Sequence, residues 1–235
     1  MMKLLKRMNE TLIFDIGFND GNSSKKFLEK GFTVIGVECN PKVYRKYFNY
    51  YINFIHNGSL ILIRKCIHYK NGEKIPFYVD KDFSPWGSVN VDIATRERNC
   101  RMYLVETITL KTLFENYGVP IYCKIDIEGS DIVALESLKE LEEKPLFISC
   151  ETECVGKGMH NTISGLEVIN KLNELGYTKF FLYKNEEGNE FQFDFNTEYE
   201  WVDYKSICEK LIQLREKHDF SKGSWTFWYD VCATF

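Results

Sequence analysis

Apolar residues come along this chain in short runs separated by polar, turn-rich stretches, and the spacing of the runs predicts the elements. Leu12–Ile16, Thr33–Val37, Ser59–Ile67, Gly72–Asp80, Val105–Leu110, Ile121–Glu128, Pro145–Cys150, Tyr177–Tyr183 and Trp225–Phe235 have the length and β-branched or aromatic content of strands. Between them lie stretches of helical spacing. Lys25–Lys30 precedes Gly31, with Asn22, Ser23 or Ser24 as its N-cap. Pro41–Asn53 puts Val43, Tyr47 and Tyr50 on one face, and 111–117 is stopped by Gly118 and Pro120. Residues 131–141, 162–175 (Ile163, Leu166, Ile169, Leu172 and Leu175 inward) and 204–217 complete the set. Strands alternating with helices predict an α/β fold built on a mostly parallel sheet, whose last strand pairs with 177–183. Residues 81–102 have no clean periodicity and read as a loop; no internal repeat appears.

The stretch Thr11–Glu38 is the first to carry chemistry. Strand, glycine-bearing turn, helix, strand and terminal acid follow in order, a βαβ unit whose Glu38 is placed for ribose hydroxyls. A dinucleotide fingerprint would need glycines at 17, 19 and 22, and only Gly17 is present. With Asn19 and Asn22 in the other places, and with Asp15 and Asp20 flanking, the loop suits a ligand that lacks phosphate and carries positive charge. S-adenosylmethionine, with its adenosine, ammonium and sulfonium, is such a ligand. An ordinary βα turn is the alternative.

The second such stretch is IYCKIDIEGSD, from Ile121. Period two puts Lys124, Asp126 and Glu128 on one side of a strand, and the strand ending at Cys150 runs into Glu151. Ligands of open α/β sheets gather at the carboxyl ends of strands, so Asp126, Glu128 and Glu151 are expected to share a crevice with Gly17 and Glu38. His68, just past the third strand, is placed where adenine would lie. His160 is a further candidate, in the loop 154–162.

Composition narrows the partners. A net charge of −4 over 235 residues, without a basic stripe, disfavours nucleic acid. Neutral glycans and small molecules stay open. The ten residues before Thr11 lack the apolar core of a signal peptide, and no run approaches a membrane span. The eight cysteines form no CxxC pair, and several fall inside apolar runs, which reads as buried free thiol in a reducing, cytoplasmic compartment. The expected organisation is one domain over 1–235, with 1–10 an N-terminal extension, 81–102 a substrate loop and 184–224 an insertion before the last strand.

LIFDIGFNDGNSSKKFLEKGFTVIGVECNP, ITLKTLFENYG and CKIDIEGSDIVALESL, in that order, resemble the FkbM-type S-adenosylmethionine-dependent methyltransferases over roughly Thr11 to Glu153, KIDIEG being the most specific part. The resemblance implies a Rossmann-like class I methyltransferase fold, a seven-stranded sheet with the last strand antiparallel, and methyl transfer to a hydroxyl, frequently of a sugar. It places Asp15, Gly17, Asn19 and Gly21 in the methionine-binding loop, Glu38 at the ribose, and Asp126 in the motif after the fourth strand. Phe18, where the family usually has Ala, and Cys39, where Pro is usual, are departures, and Phe18 is expected to narrow the cofactor loop.

A sugar hydroxyl needs a general base, for which Asp126 and Glu151 are placed best, then Glu128 and His160. The same acids, Asp126 and Glu151, are candidate ligands for Mg²⁺ holding a vicinal diol. The leading expectation is an O-methyltransferase acting on a hexose or a deoxyhexose such as rhamnose. Its acceptor cleft would draw on Phe83–Arg101, Trp86, Trp225 and the segment Met159, His160 and Asn161. The alternatives are methylation of a nucleic acid or another small molecule, and a non-catalytic cofactor-binding module partnering a glycosyltransferase.

Overall fold

Strand β1 (Asn9–Ile16) buries Leu12, Ile13, Phe14 and Ile16 almost completely, because it lies between two parallel neighbours and is covered on both faces. Each such side chain is worth about 1.5–3 kcal/mol in removal from water. The structure is a computed structural model that describes residues 9–80, 87–91, 94, 100–155, 165–186, 190–217 and 227–235. They form two units, Met1–Leu146 and Phe147–Phe235.

In the first unit, β1 pairs in parallel with β2 (Thr33–Val37) and with β8 (Pro120–Ile125), and β2 pairs in parallel with β3 (Leu60–Ile63). The helix after β1, Asn22–Glu29, is capped by Gly21 at φ 74°, not by a side chain. Asn22 is bound to Asp20 and Ser24 to Asp15 instead. Helix Pro41–Tyr50 starts with proline at its first turn and with the Asn40 side chain accepting from Lys42 N and Val43 N. Its expected inward face is only partly right. Val43 and the following Tyr51 are buried, whereas Tyr50 is 68% exposed.

The expected single strand 59–67 divides. After β3 the chain crosses to a second sheet through β4 (Cys66–Ile67), which pairs with β7 (Cys100–Ile108). Strand β5 (Lys74–Asp80) pairs antiparallel with β7 and with β6 (Gly87–Ser88). Part of the expected 81–102 loop is therefore strand; Phe83, Trp86, Arg96 and Arg98 lie outside the described residues. Thr109 caps helix Leu110–Tyr117 through Thr112 N, and Phe114 closes edge-on to Phe14 at 4.9 Å.

The second unit is an antiparallel ladder. Strand β12 (Phe227–Thr234) pairs with both β9 (Phe147–Val155) and β10 (Lys179–Asn185), and a two-residue β11 (Val202–Asp203) edges β10. The pairing of the last strand with 177–183 holds. The seven expected strands are four in the first unit and three in the second, with β11 additional. Within the expected insertion, Phe191, Phe193, Tyr199 and Trp201 pack on Phe147 and Phe181, which accounts for much of the aromatic content in this half. Helices Gly165–Glu174 and Tyr204–Lys217 complete the unit. Among the described residues, no helix is long and apolar enough to cross a membrane, and Cys39, Cys66, Cys100, Cys123, Cys150, Cys208 and Cys232 are free.

Candidate functional site

The carboxyl ends of β1, β2 and β8 bring one group of side chains together, all in the first unit. The chain leaves β1 through Gly17 at φ 91°, and the N–H groups of Gly17 and Phe18 both donate to the carbonyl of Val37, at 3.0 and 2.9 Å. A tight turn then closes from Gly21 N to Phe18 O, with Asn19 left-handed at φ 46°. On the other side Asp126 N donates to Ile16 O. The loop is so close to β8 that a Cβ on Gly17 would lie 1.8 Å from the Asp126 carbonyl oxygen.

Glu38 is the centre of this arrangement. Its carboxylate accepts from Asn19 N at 2.8 Å and Asn40 N at 2.7 Å, so it ties the β1 loop to the end of β2. Burial pushes its pKa up to about 7, against those two backbone bonds. Each oxygen has lone-pair capacity beyond one bond, which is what ribose hydroxyls require. Glu38→Gln would turn an amide NH₂ toward one of two backbone donors. The expected result is a 10- to 100-fold weaker cofactor, on the order of 1–3 kcal/mol for a lost bond to a charged group, read by calorimetry. Unchanged affinity would remove Glu38 from the site.

Asp15 is buried, with Ser24 Oγ donating to Oδ2 at 2.6 Å; its Oδ1 has no hydrogen-bond donor and faces Lys124 Nζ at 4.0 Å. Burial raises its pKa to about 6, partly opposed by Lys124 and Ser24. The same lysine binds Asp126 Oδ2 at 2.8 Å, and the Asp126 side chain is 39% exposed. Beyond Asp126 the backbone is strained. Glu128 is left-handed at φ 49°, and its carbonyl accepts from Ser88 Oγ at 2.8 Å. Among the described residues, the two non-glycine residues at positive φ, Asn19 and Glu128, fall in the two loops of this site. Asp131 is fully buried; burial, aided by Asp126 and Glu128 and opposed by the backbone N–H groups of Asp131 and Ile127, lifts its pKa to about 7.

Several expectations are corrected here. The Phe18 ring does not narrow the loop. It is 2% exposed, edge-on to Tyr51 at 5.5 Å, in space left by Gly21 and Gly36, where added Cβ atoms would come within 2.4 and 2.5 Å of it. The Cys39 side chain packs with Cys66, Phe77, Val79 and Val105 of the second sheet, and burial raises its thiol pKa. His68 stands with Nδ1 3.8 Å from Glu73 Oε2 and its ring edge-on to Tyr69, on the turn before β5. Glu151 is inside β9, opposite Asp230, and not at a strand end, because the ladder with β12 runs on to Val155. His160, Met159, Asn161 and Trp225 lie outside the described residues. Among the described residues no group of three or more His, Cys, Asp and Glu is arranged to hold a metal ion, so the Mg²⁺ expectation gains no support.

Lys124, Ser24, Ser88, Asn40 and Asp131 belong to the site without having been singled out for it. For Lys124 the signal was present in the period-two spacing with Asp126. For Asp131 there was none, since an acid at a helix start is ordinary.

A sequence family described as the methyltransferase FkbM domain matches residues 15–179. A search of curated proteins gave no match. Among solved structures, the chain is similar to a precorrin-6y C5,15-methyltransferase from Geobacter metallireducens GS-15 at 10% identity and TM-score 0.46, over 99% of this chain and 84% of that one. A SAM-dependent methyltransferase from Archaeoglobus fulgidus is 12% identical at TM-score 0.46, with 100% of this chain and 90% of that one covered.

Proposed function

Because the protein belongs to the FkbM methyltransferase domain family, and is therefore an S-adenosylmethionine-dependent methyltransferase, we propose that its acceptor is a hydroxyl of a sugar, a hexose or deoxyhexose within a glycan. The observation that carries this reading is Asp126. Its carboxylate is partly exposed, held by Lys124, and stands at the end of the strand beside the Gly17 loop. An acceptor hydroxyl can reach it from solvent.

The residues fit a cationic cofactor: at the foot of the Gly17 turn, Asp15 Oδ1 is a buried acceptor without a hydrogen-bond donor. Glu38 would take the ribose, and Asp15 with the 17–21 turn the methionine end. When bound, S-adenosylmethionine supplies a methyl group on a sulfonium, already electrophilic. The protein's own work is alignment and proton removal. The paired loops fix the direction of approach, and Asp126 takes the hydroxyl proton as oxygen attacks. Glu128, held left-handed through Ser88, lines the same loop.

The acids make binding pH-dependent. A raised carboxyl pKa means that protonation is favoured in the ligand-free fold and lost as pH rises through about 6 for Asp15 and about 7 for Glu38. A cation beside Asp15 and hydroxyl donors on Glu38 favour the ionised forms, so affinity should increase from pH 6 to 8, with proton release. Calorimetry with S-adenosylmethionine in two buffers of different ionisation heat reads both, and no binding at any pH would defeat the cofactor assignment. The acceptor is read by transfer of labelled methyl to a panel of oligosaccharides and nucleotide sugars. Label on RNA and on none of the sugars would overturn the sugar reading.

A further inference from the structure

Resting on the reading of the Gly17 loop as the cofactor site, we propose that Lys124 is a positioning residue: its ammonium bridges Asp126 and Asp15 and keeps the floor beneath the cofactor's cationic end negatively charged at neutral pH. Lys124 and Asp15 are register partners in the parallel β1–β8 pair, so the lysine rises directly beside the aspartate. Two residues on, Asp126 projects to the same side and takes the ammonium at 2.8 Å, with Asp15 Oδ1 at 4.0 Å. The lysine side chain is only 15% exposed and Asp15 3%. Ion pairs at this depth are weakly screened by salt.

Asp15 has few other supports. From the helix Ser24 bonds its other oxygen. Asp126 beyond β8, Asp20 in the turn and Glu38 at the end of β2 all face it with negative charge, and the Cys123 thiol and Tyr51 phenol are further neighbours. The charge of Asp126 in turn acts on Glu38 and Asp131. Lys124, with Nζ 4.0 Å from Oδ1, is the cation that opposes protonation of Asp15. Without it, a buried carboxyl surrounded by acids takes up a proton, and a cationic ligand loses its partner.

The test is affinity for S-adenosylmethionine by calorimetry between pH 5.5 and 9 for the wild type, Lys124→Met, Lys124→Arg and Asp126→Asn. In Lys124→Met the affinity should fall about eightfold at pH 5.5 and about twofold at pH 7, and recover toward pH 9, because the midpoint of its rise moves up from about 6 by about one pH unit. Lys124→Arg should keep the wild-type midpoint. Asp126→Asn removes a repelling charge and the competitor for the lysine, so its midpoint should move down. This opposite shift keeps the inference testable if the methionine variant does not fold. Weakening by the same factor at every pH, or midpoints that do not move in Lys124→Met and Asp126→Asn, would overturn the role of Lys124. Absence of binding by the wild type would instead defeat the cofactor reading on which it rests.

Discussion

Gly17→Ala should abolish methyl transfer and destabilise the first unit by roughly 3–5 kcal/mol, the range of severe single substitutions. Two causes add. Alanine at φ 91° is disfavoured by about 1–2 kcal/mol, and the new Cβ would be 1.8 Å from Asp126 O and 2.8 Å from Asp126 C. Both are backbone atoms. They cannot swing aside, because Asp126 N is bound to Ile16 O, while Gly17 N and Phe18 N share Val37 O. The clash must separate β1 from β8 at the point proposed to hold the cofactor. Asn19→Gly is the control, since the turn already asks position 19 for φ 46° and glycine adopts it freely. Urea denaturation and cofactor calorimetry read both variants. A Gly17→Ala protein of wild-type stability would mean that the loop stands off β8.

Phe18→Ala should cost about 3–5 kcal/mol, as deletion of a buried ring does, with Gly36 as its partner in the argument. Gly36 is the position on β2 over which the ring lies, and a Cβ there would meet Phe18 Cδ2 at 2.5 Å and Leu62 Cδ1 at 2.9 Å. Gly36→Ala alone should therefore cost about 1–3 kcal/mol by overpacking. In the double variant the added methyl enters the space the ring has left. The sum of the single costs should exceed the double by on the order of 1 kcal/mol. Strict additivity in urea midpoints would show that the two positions do not share one space.

The same pair shows where sequence reading succeeded and where it stopped. The run Leu12–Ile16, the glycine turn and Thr33–Val37 were legible because local pattern alone marks a buried strand, a tight turn and a second strand, and the family motif put Asp15, Glu38 and Asp126 together at the strand ends. Phe18 was misread as loop lining. Its burial is decided by a glycine 18 residues further on, in a neighbouring strand, which no local pattern reports. Ser24 was one of three candidate helix caps with Asn22 and Ser23, but its hydroxyl donates to Asp15 and Gly21 caps instead. The division of 59–67 into β3 and β4 was hidden because Arg64-Lys65 fits a strand's alternation as well as a crossing between sheets. Glu151 was placed at a strand end because Cys150 closes an apolar run, whereas pairing with β12 carries the strand through it. His160 and the aromatic candidates of the acceptor cleft depend on segments outside the described residues.

The carbonyl of Val37, shared by two amides of the preceding loop, also guards the assembly of the chain. A one-residue slip of β2 along β1 would turn Glu38 to the opposite face of the sheet. In the same step it would withdraw Val37 O from Gly17 N and Phe18 N, and the Glu38 oxygen from Asn19 N. Three donors would lose their acceptors at once, so a mispaired β1–β2 hydrogen-bond ladder cannot close this turn. Completion of the turn certifies that the first two strands have met in their native alignment.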